Sequence, residues 1–242
     1  MMPLHPTPAP ALTRRPPWAI PLAVGVPAVL LALLLDEPLR DHVAALRVGG
    51  DLRRELAAWQ QFGQFTSIVV ASLIVWVLDP HRRPSWLDGL LGLAALWPVC
   101  QALKVLCGRL RPGLGEGPWH WLGPVGEYPL SVGDVPVMRG PWQIGAHGVA
   151  DLWAMPSSHT ALAVGFATIL AYQYSRLTWL WAILACLVGF ERLRNNAHWS
   201  SDVTAGALLG VLVARTALRQ RWASRWFAQP HDPPDPRGLG TA

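Results

Sequence analysis

The chain has 242 residues, of which 52% are hydrophobic and only 14% are charged, against about 25% charged in a soluble globular domain. This composition argues against an ordinary soluble fold and favours a protein that lies in lipid. The net charge of +5 could suit nucleic acid, but the arginines are scattered and no nucleic-acid motif occurs, so anionic lipid head groups are the expected partner.

Six apolar segments approach the roughly 20 residues that a helix needs to cross the hydrocarbon core of a membrane. In chain order they are 18–35, 62–78, 87–106, 160–174, 177–190 and 203–217. The first could be taken for a signal peptide, but no small-residue cleavage pattern follows it, so we expect a retained helix. The sequence therefore predicts an all-α, polytopic membrane bundle of about six transmembrane helices.

The ends and connectors of this bundle have polar or turn-rich compositions. Residues 1–17 contain six prolines and residues 228–242 repeat Pro and Gly, so both ends are predicted to be disordered around one membrane domain at 18–227. The connector 36–59 carries mixed charges at partly helical spacing, which fits either a surface helix or a solvated connector. The longest loop, about 107–155 between the third and fourth predicted helices, is rich in Gly, Pro and Trp, as expected of a lid or binding loop at the head-group layer.

Three polar segments are predicted to meet on one side of the membrane. They cover residues 104–112, 156–159 and 192–202. Because successive helices alternate in direction, the end of the third, the start of the fourth and the junction of the fifth and sixth lie on the same face. Cytoplasmic loops are enriched in Lys and Arg, and a modest excess of Arg puts the amino terminus inside. We therefore expect an integral protein of the cell (inner) membrane with this site on the non-cytoplasmic face.

The third segment carries a His-x-x-x-Asp pair, a pattern that is weak by itself. It occurs three times in the chain, and the copies that begin at His147 and His231 lie in a Gly-rich loop and in the Pro-rich tail. Only His198 and Asp202 stand at the start of an apolar helix, where a spacing of four places both side chains on one face. Asp202 can hold one ring nitrogen of His198 and leave the other free to attack phosphorus.

The second segment reads as the start of a membrane helix. Pro156-Ser157-Ser158 reads as a helix start with a serine at or near the N-cap, and the free N–H groups and positive dipole end of such a turn suit a phosphate. His159 follows in the first turn, on the face where His198 is expected. It could act as the general acid that a leaving alkoxide needs, although a purely structural helix start has the same sequence.

The first segment supplies positive charge. Lys104, the only lysine in the chain, and Arg111 are seven residues apart, which predicts two turns along one helical face before Pro112 discourages further helix. Arg192 adds a third cation from the third segment. Any one of these cations, taken singly, is as typical of an interfacial anchor as of a phosphate site. Three of them around one phosphate would stabilise a phosphoryl transition state without a metal.

Together the three segments resemble the signature of the type 2 phosphatidic acid phosphatase superfamily, a group of membrane lipid phosphatases related to vanadium haloperoxidases. The resemblance covers about residues 87–217. The matched positions, motif by motif, are Lys104 with Arg111-Pro112, then Pro156-Ser157-Ser158-His159, then Arg192, His198 and Asp202.

The resemblance implies a role for each matched side chain. His198 would be the nucleophile, held by Asp202, and His159 would be the general acid, with a phosphohistidine intermediate that water hydrolyses and with no metal or cofactor. The residues that would bind the phosphate are Lys104, Arg111, Ser157, Ser158 and Arg192.

Two positions depart from the family pattern. Ser158 replaces a glycine but keeps the backbone N–H donor. Glu191 replaces a serine beside Arg192, where its carboxylate would either repel the phosphate or pair with Arg194.

The expected function is metal-independent hydrolysis of a lipid phosphate or pyrophosphate, of the isoprenyl pyrophosphate, phosphatidylglycerophosphate or phosphatidic acid type. The expected partners are that lipid and the bilayer, with no nucleic acid. Two alternatives stay open: a lipid phosphotransferase that uses the same intermediate, and a non-catalytic membrane protein that binds lipid head groups. The membrane spans argue against a third, a vanadate-dependent oxidant, because the haloperoxidases are soluble.

Overall fold

The computed structural model describes residues 16–46, 48–133 and 135–226. These residues form, in chain order, α1 (Ala19–Ala45), α2 (Gly50–Trp59), α3 (Phe65–Leu78), α4 (Arg83–Cys107), β1 (Tyr128–Val132), β2 (Val135–Arg139), α5 (Ser158–Gln173), α6 (Thr178–Arg194) and α7 (Ser200–Arg219). The two ends predicted to be disordered lie outside the described residues, apart from Pro16 and Pro17. The predicted helical class is confirmed.

Each of the six predicted spans overlaps one of these helices. Three helical stretches are long and apolar enough to cross a membrane, namely Ala19–Ala45, Pro80–Cys107 and Ser200–Trp226. The apolar α3 has 14 residues, and α5 and α6 have 16 and 17, which is below the roughly 20 that a perpendicular crossing needs. The helical membrane fold is therefore confirmed, whereas the count of six crossings stays a prediction.

Helix α7 lies at the centre of the bundle, packed against α1, α4 and α5. Gly206 and Gly210, four residues apart, allow the backbones of α5 and α7 to approach closely. A Cβ atom at Gly206 would lie 2.4 Å from the Ser157 carbonyl oxygen, and one at Gly210 would lie 2.4 Å from that of Ala161. This close packing fixes the start of α5 against the start of α7, where two of the three polar segments lie.

The first helix is longer than its apolar run. It continues through Asp36 to Ala45, and the connector that follows includes the separate helix α2. The predicted boundary after Leu35 is wrong because Asp36 does not face solvent: the residue is 1% exposed, and its carboxylate is neutralised by a distant arginine. A prediction from hydropathy alone ends the apolar span at a charged residue such as Asp36.

Helix α4 ends before Arg111, so the prediction that Lys104 and Arg111 share two turns of one helix is wrong. The helix stops at Cys107 because Gly108 adopts a left-handed conformation, with φ of 54°, and donates its N–H to the Lys104 carbonyl. A side chain at Gly108 would also collide with the carbonyl oxygen of Gly123, 2.4 Å from an ideal Cβ. Arg111 follows in an extended conformation.

The long segment between α4 and α5 is a folded cap with a small core of its own. Strands β1 and β2 pair antiparallel, from Tyr128 opposite Arg139 to Val132 opposite Val135. Four buried side chains pack beneath the hairpin: Leu110, Leu130, Val149 and Leu152. The loop lies where it was predicted, but neither its hairpin nor its core was predicted.

Candidate active site

The three polar segments meet, and hydrogen bonds join them directly. The backbone N–H of Ala154, two residues before the second segment, donates to the Arg109 carbonyl over 2.9 Å, which ties the first segment to the start of the second. The Ser157 N–H donates to the Asp202 carbonyl over 3.0 Å, which ties the second to the third. The indole N–H of Trp199 donates to the Leu110 carbonyl over 2.9 Å. Each segment therefore positions the other two.

The imidazole of His198 is held by the backbone. Its Nδ1 lies 2.7 Å from the Ala154 carbonyl oxygen, and a carbonyl can only accept, so Nδ1 carries the proton. Asp202 is farther away, with Oδ2 3.8 Å from the same nitrogen. The sequence predicted that Asp202 holds this ring, but the Ala154 carbonyl is the nearer partner. Nε2 then keeps its lone pair.

The surroundings of His198 favour the neutral ring. Burial lowers the pKa of the imidazole below its ordinary value of about 6.5, since the side chain is only 3% exposed. The Asp202 carboxylate acts in the opposite direction, and the positive charges of Arg111 and Lys104 lower the pKa further. At neutral pH the ring is therefore uncharged, which is the form that can attack an electrophile.

Polar atoms without a partner cluster around this ring. Among the described residues, Arg111 Nε, Arg192 Nε and Ser158 Oγ are buried and make no hydrogen bond. Lys104 is 8% exposed, and its ammonium lies within electrostatic reach of Arg111 and Asp202. A buried polar group left unpaired costs about 1–3 kcal/mol, so donors grouped in this way indicate a ligand site. Four positive or hydroxyl donors suit an anion.

The guanidinium groups of Arg111 and Arg192 have different partners within the protein. Arg111 Nη1 lies 3.7 Å from Asp151 Oδ1, and its backbone N–H donates to the Asp151 carbonyl. Arg192 Nη2 donates to the Gln60 side-chain oxygen. Asp151 is the acid of the pair that begins at His147, one of the two other His-x-x-x-Asp pairs, which we call decoys. This decoy pair therefore supplies a partner for Arg111 and not the nucleophile. The decoy at His231 lies outside the described residues.

The first turn of α5 holds three of the predicted site residues, and they are used differently. Ser157 is fully buried and acts as the N-cap: its hydroxyl accepts from the Thr160 N–H over 3.4 Å and pairs with the Thr160 hydroxyl over 3.0 Å. The hydroxyl that stays unpaired is that of Ser158. His159 is half-buried, within electrostatic reach of His198 and the three cations. The Ser157 hydroxyl thus caps α5, and its contact with phosphate stays a prediction.

Glu191 is turned away from this cluster. Its carboxylate is fully buried and accepts from Arg194 Nε and Nη2 over 2.7 and 2.6 Å, and from Asn195 Nδ2 over 3.0 Å. Of the two alternatives that the sequence left open, the pairing with Arg194 is the one observed. The charge that replaces the usual serine is therefore locally neutralised.

Two residues that sequence reasoning missed lie directly behind Asp202. The guanidinium of Arg109 has no solvent exposure and donates to Asp202 Oδ1 and Asp36 Oδ2, each over 2.6 Å. It also donates to the Ser201 hydroxyl over 2.7 Å and to the Pro118 carbonyl. The signal for Arg109 was its place between Lys104 and Arg111, inside the first motif. For Asp36 the only signal was a single acid directly after an apolar run.

An apolar groove runs from the site along the bundle. It has a volume of about 570 Å³ and is lined by small and apolar residues of α5, α6 and α7, among them Thr160, Val164, Ala185, Gly189, Val203 and Ala207. Its first residues, Thr160 and Val203, directly follow His159 and Asp202 in the chain. A smaller groove of about 290 Å³ lies across α7, between α1 and α4.

Among the described residues no group of three or more His, Cys, Asp or Glu side chains could hold a metal ion.

Residues 85–226 match the family model of the PAP2 superfamily. The bacitracin transport permease protein BcrC of Bacillus licheniformis is 41% identical over 61 residues, 25% of this chain and 30% of that protein. The lipid A 1-phosphatase of Porphyromonas gingivalis is 44% identical over 62 residues, 24% of this chain and 14% of that protein. This chain thus matches less than a third of the length of either relative.

A similar fold is seen in the crystal structure of a transmembrane PAP2 type phosphatidylglycerolphosphate phosphatase from Bacillus subtilis. The TM-score is 0.55 and the identity 18%, with 88% of this chain and 98% of that chain covered. At this identity the likeness concerns the fold.

Proposed function

Because the chain belongs to the PAP2 superfamily, we propose that it is a membrane phosphatase that removes phosphate from a lipid phosphate or pyrophosphate. The observation that carries the proposal is the set of unpaired cationic and hydroxyl donors around the free Nε2 of a neutral, buried His198. A tetrahedral anion presented by a lipid at the end of a membrane helix would satisfy these donors.

The proposed reaction has two steps. In the first, the Nε2 lone pair of His198 attacks phosphorus and the bond from phosphorus to the lipid oxygen breaks. His159 takes up a proton when the negative charge of the bound phosphate lies beside it, and it gives that proton to the leaving oxygen. In the second, His159 takes a proton from water as the water oxygen attacks phosphorus, which breaks the phosphorus–nitrogen bond and releases inorganic phosphate. Lys104, Arg111 and Arg192 stabilise the charge on the equatorial oxygens in both steps.

We further propose six membrane crossings, with residues 18–227 as one domain. The shorter helices α3, α5 and α6 would then cross with help from their polar flanks, as snorkelling side chains allow. The end of α4, the start of α5 and the start of α7 would face the non-cytoplasmic side of the cell (inner) membrane. The exposed Trp119 of the cap would lie at the head groups, where amphipathic rings accumulate.

The groove along α5, α6 and α7 supports a lipid as the substrate. From Thr160 to Ala171 it follows twelve residues of α5, roughly 16 Å at 1.5 Å of rise between successive residues, which is about half of a hydrocarbon core of about 30 Å. One hydrocarbon chain would fill this length within one leaflet. We therefore assign the groove to the chain of the lipid whose phosphate lies among the three cations.

Filling this groove is expected to separate long-chain from soluble substrates. Ala207→Phe places a ring in the groove, and we expect kcat/KM for a long-chain lipid phosphate to fall about 10- to 100-fold, the cost of misplacing a reacting group by about 1 Å. Hydrolysis of a water-soluble aryl phosphate should be unchanged, since that substrate has no chain to place. The assay is phosphate release from both substrates.

The matched control uses the same helix and the same substitution. Ala205→Phe fills the smaller groove on the other side of α7. It should leave the ratio of the two activities at its wild-type value. An equal fall in that ratio for both variants, or no fall for Ala207→Phe, would show that ordinary bilayer lipid occupies the groove and not the substrate.

The function itself is tested with purified protein in detergent and a panel of lipid phosphates, with a metal chelator present. We expect release of inorganic phosphate from at least one of them. Transfer of phosphate to a second lipid, seen by product analysis, would favour the phosphotransferase, and binding without turnover would favour a head-group-binding protein. Vanadate should inhibit; halide oxidation in its presence would contradict the proposal.

A further inference from the structure

A fully buried charge cluster lies behind the candidate nucleophile. Two carboxylates, those of Asp36 and Asp202, share the guanidinium of Arg109, and none of the three side chains is exposed to solvent. The cluster thus carries one net negative charge in a region from which water is excluded. An uncompensated buried charge is costly, so a positive group that appears beside it is strongly stabilised.

The hydrogen bonds of Asp202 explain why a second carboxylate is present. Its Oδ1 accepts from Arg109, and its Oδ2 accepts from the Trp199 N–H over 2.7 Å while lying 3.8 Å from the His198 ring. If Arg109 had Asp202 as its only acidic partner, the two charges would cancel and little field would reach the imidazole. Asp36 supplies the second charge, so the cluster remains negative towards His198.

The side chain of Asp36 accepts hydrogen bonds from Arg109 and from the first turn of α7. Its Oδ1 accepts from the Ser200 hydroxyl over 2.7 Å and from the Ser201 N–H over 2.8 Å. Its Oδ2 accepts from the Ser201 hydroxyl over 2.6 Å as well as from Arg109. These bonds join α1 to the first turn of α7, the turn that carries Asp202. Asp36 lies outside the matched region 85–226, so the family model does not include it.

We propose that Asp36 is a positioning residue of the active site, which through Arg109 fixes the Asp202 carboxylate and balances the positive charge that forms on His198. The inference rests on the proposed function, because that charge arises when the nitrogen–phosphorus bond forms. Asp36 itself exchanges no proton and touches no substrate. The field of the cluster opposes that of the positive charges that act on the ring, Lys104 of α4 and Arg111 of the cap. His159 of α5 also interacts with His198, and Arg192 of α6 interacts with His159.

Asp36→Asn tests the proposal because it removes the charge and keeps the shape. We expect kcat to fall about 10- to 100-fold with KM within about 2-fold, the effect of a unit charge acting over roughly 6–12 Å at an effective dielectric of about 20. The acidic limb of the activity profile should move to lower pH. The shift is towards lower pH because loss of a nearby negative charge disfavours the protonated ring of His198 and so lowers its pKa. Asp36→Glu keeps the charge and should restore much of kcat and the position of the limb.

Asp88 provides a matched control at a different place in the bundle. It is also 1% exposed, and its carboxylate accepts from the N–H groups of Ala223 and Ser224 and from the Ser224 hydroxyl. Asp88→Asn should cost stability, measured as thermal unfolding in detergent, while kcat and the pH profile of the folded fraction stay at wild-type values. If Asp36→Asn behaves in the same way, the role of Asp36 is structural and the proposal is overturned.

Ser200→Ala keeps the test decisive if Asp36→Asn does not accumulate as folded protein. This variant removes one hydrogen bond to Asp36 and leaves every charge in place. A fall in kcat of about 3- to 10-fold, with KM unchanged, supports the positioning role, and an unchanged kcat overturns it. Absence of phosphate release by the wild-type protein would overturn the proposed function, and this inference with it. Release by the wild type with no effect at Asp36 would overturn this inference alone.

Discussion

Replacement of His198 by alanine is expected to abolish phosphate release while the protein still folds and inserts. The side chain supplies the lone pair that attacks phosphorus, and no other described imidazole takes its place against the Ala154 carbonyl. Removal of a nucleophile that works within a group of catalytic residues costs several powers of ten, and we expect a loss of at least about 10⁴-fold. The measurement is release of inorganic phosphate from the lipid that the wild type hydrolyses.

The same chain offers a control with the same sequence spacing. His147 begins one of the decoy pairs, four residues before Asp151, and lies in the cap. His147→Ala should keep activity within about 2-fold of wild type, as expected for a surface substitution away from the site. Substantial phosphate release by His198→Ala, or an equal loss for both variants, would contradict the assignment of His198.

His159 can be separated from His198 by the choice of leaving group. An aryl phosphate with an acidic leaving group needs no proton from a general acid, whereas a lipid alkoxide does. His159→Ala should therefore lose about 10²- to 10⁴-fold on the lipid and much less on the aryl ester. His198→Ala should lose both activities, since every substrate needs the nucleophile.

The features of the structure that could be predicted are those that depend on residues close together in the chain. Apolar runs gave all six core helices, because burial in lipid needs continuous hydrophobic stretches. The segments that carry Lys104, Arg111, Ser158, Arg192 and His198 were expected to meet because the predicted helices alternate in direction, and hydrogen bonds do join these segments. The end of α4 at Gly108 could also have been predicted, since glycine after a helix favours the left-handed cap.

The missed features depend on contacts between distant residues. Asp36 and Arg109 are 73 positions apart, and neither periodicity nor hydropathy links them. An acid after an apolar run reads as the membrane boundary when its partner is not known. The sequence likewise left open whether Ser157 or Ser158 caps α5, because which of two adjacent hydroxyls caps a helix depends on where the helix begins.

The hydrogen bonds of Arg109 differ from those of Arg111 and Arg192, and this difference predicts which arginine supports folding and which supports catalysis. Arg109 has all its donors directed at buried acceptors, whereas Arg111 and Arg192 each keep an unpaired Nε. A cation that is fully paired within the protein has no free donor for a substrate. We therefore expect loss of Arg109 to act first on folding, and loss of Arg192 to act first on activity.

Arg109→Leu is expected to destabilise the protein by about 3–5 kcal/mol, because it leaves the carboxylates of Asp36 and Asp202 buried without their cation. For a chain of this size that corresponds to a fall in Tm of roughly 6–20 °C. The measurement is thermal unfolding of purified protein in detergent. Arg192→Leu is the control: its Tm should change little, while phosphate release falls about 10²- to 10³-fold through loss of a transition-state donor.

A double variant tests whether the destabilisation comes from unpaired charge or from lost packing. In Asp36→Asn/Arg109→Leu one of the two unpaired carboxylates is gone, so part of the lost Tm should return relative to Arg109→Leu alone. If lost packing is the cause, the second change can only add to the damage. Equal Tm values for Arg109→Leu and Arg192→Leu would contradict the assignment of Arg109 as the cation that neutralises the buried carboxylates and holds α1, the cap and α7 together.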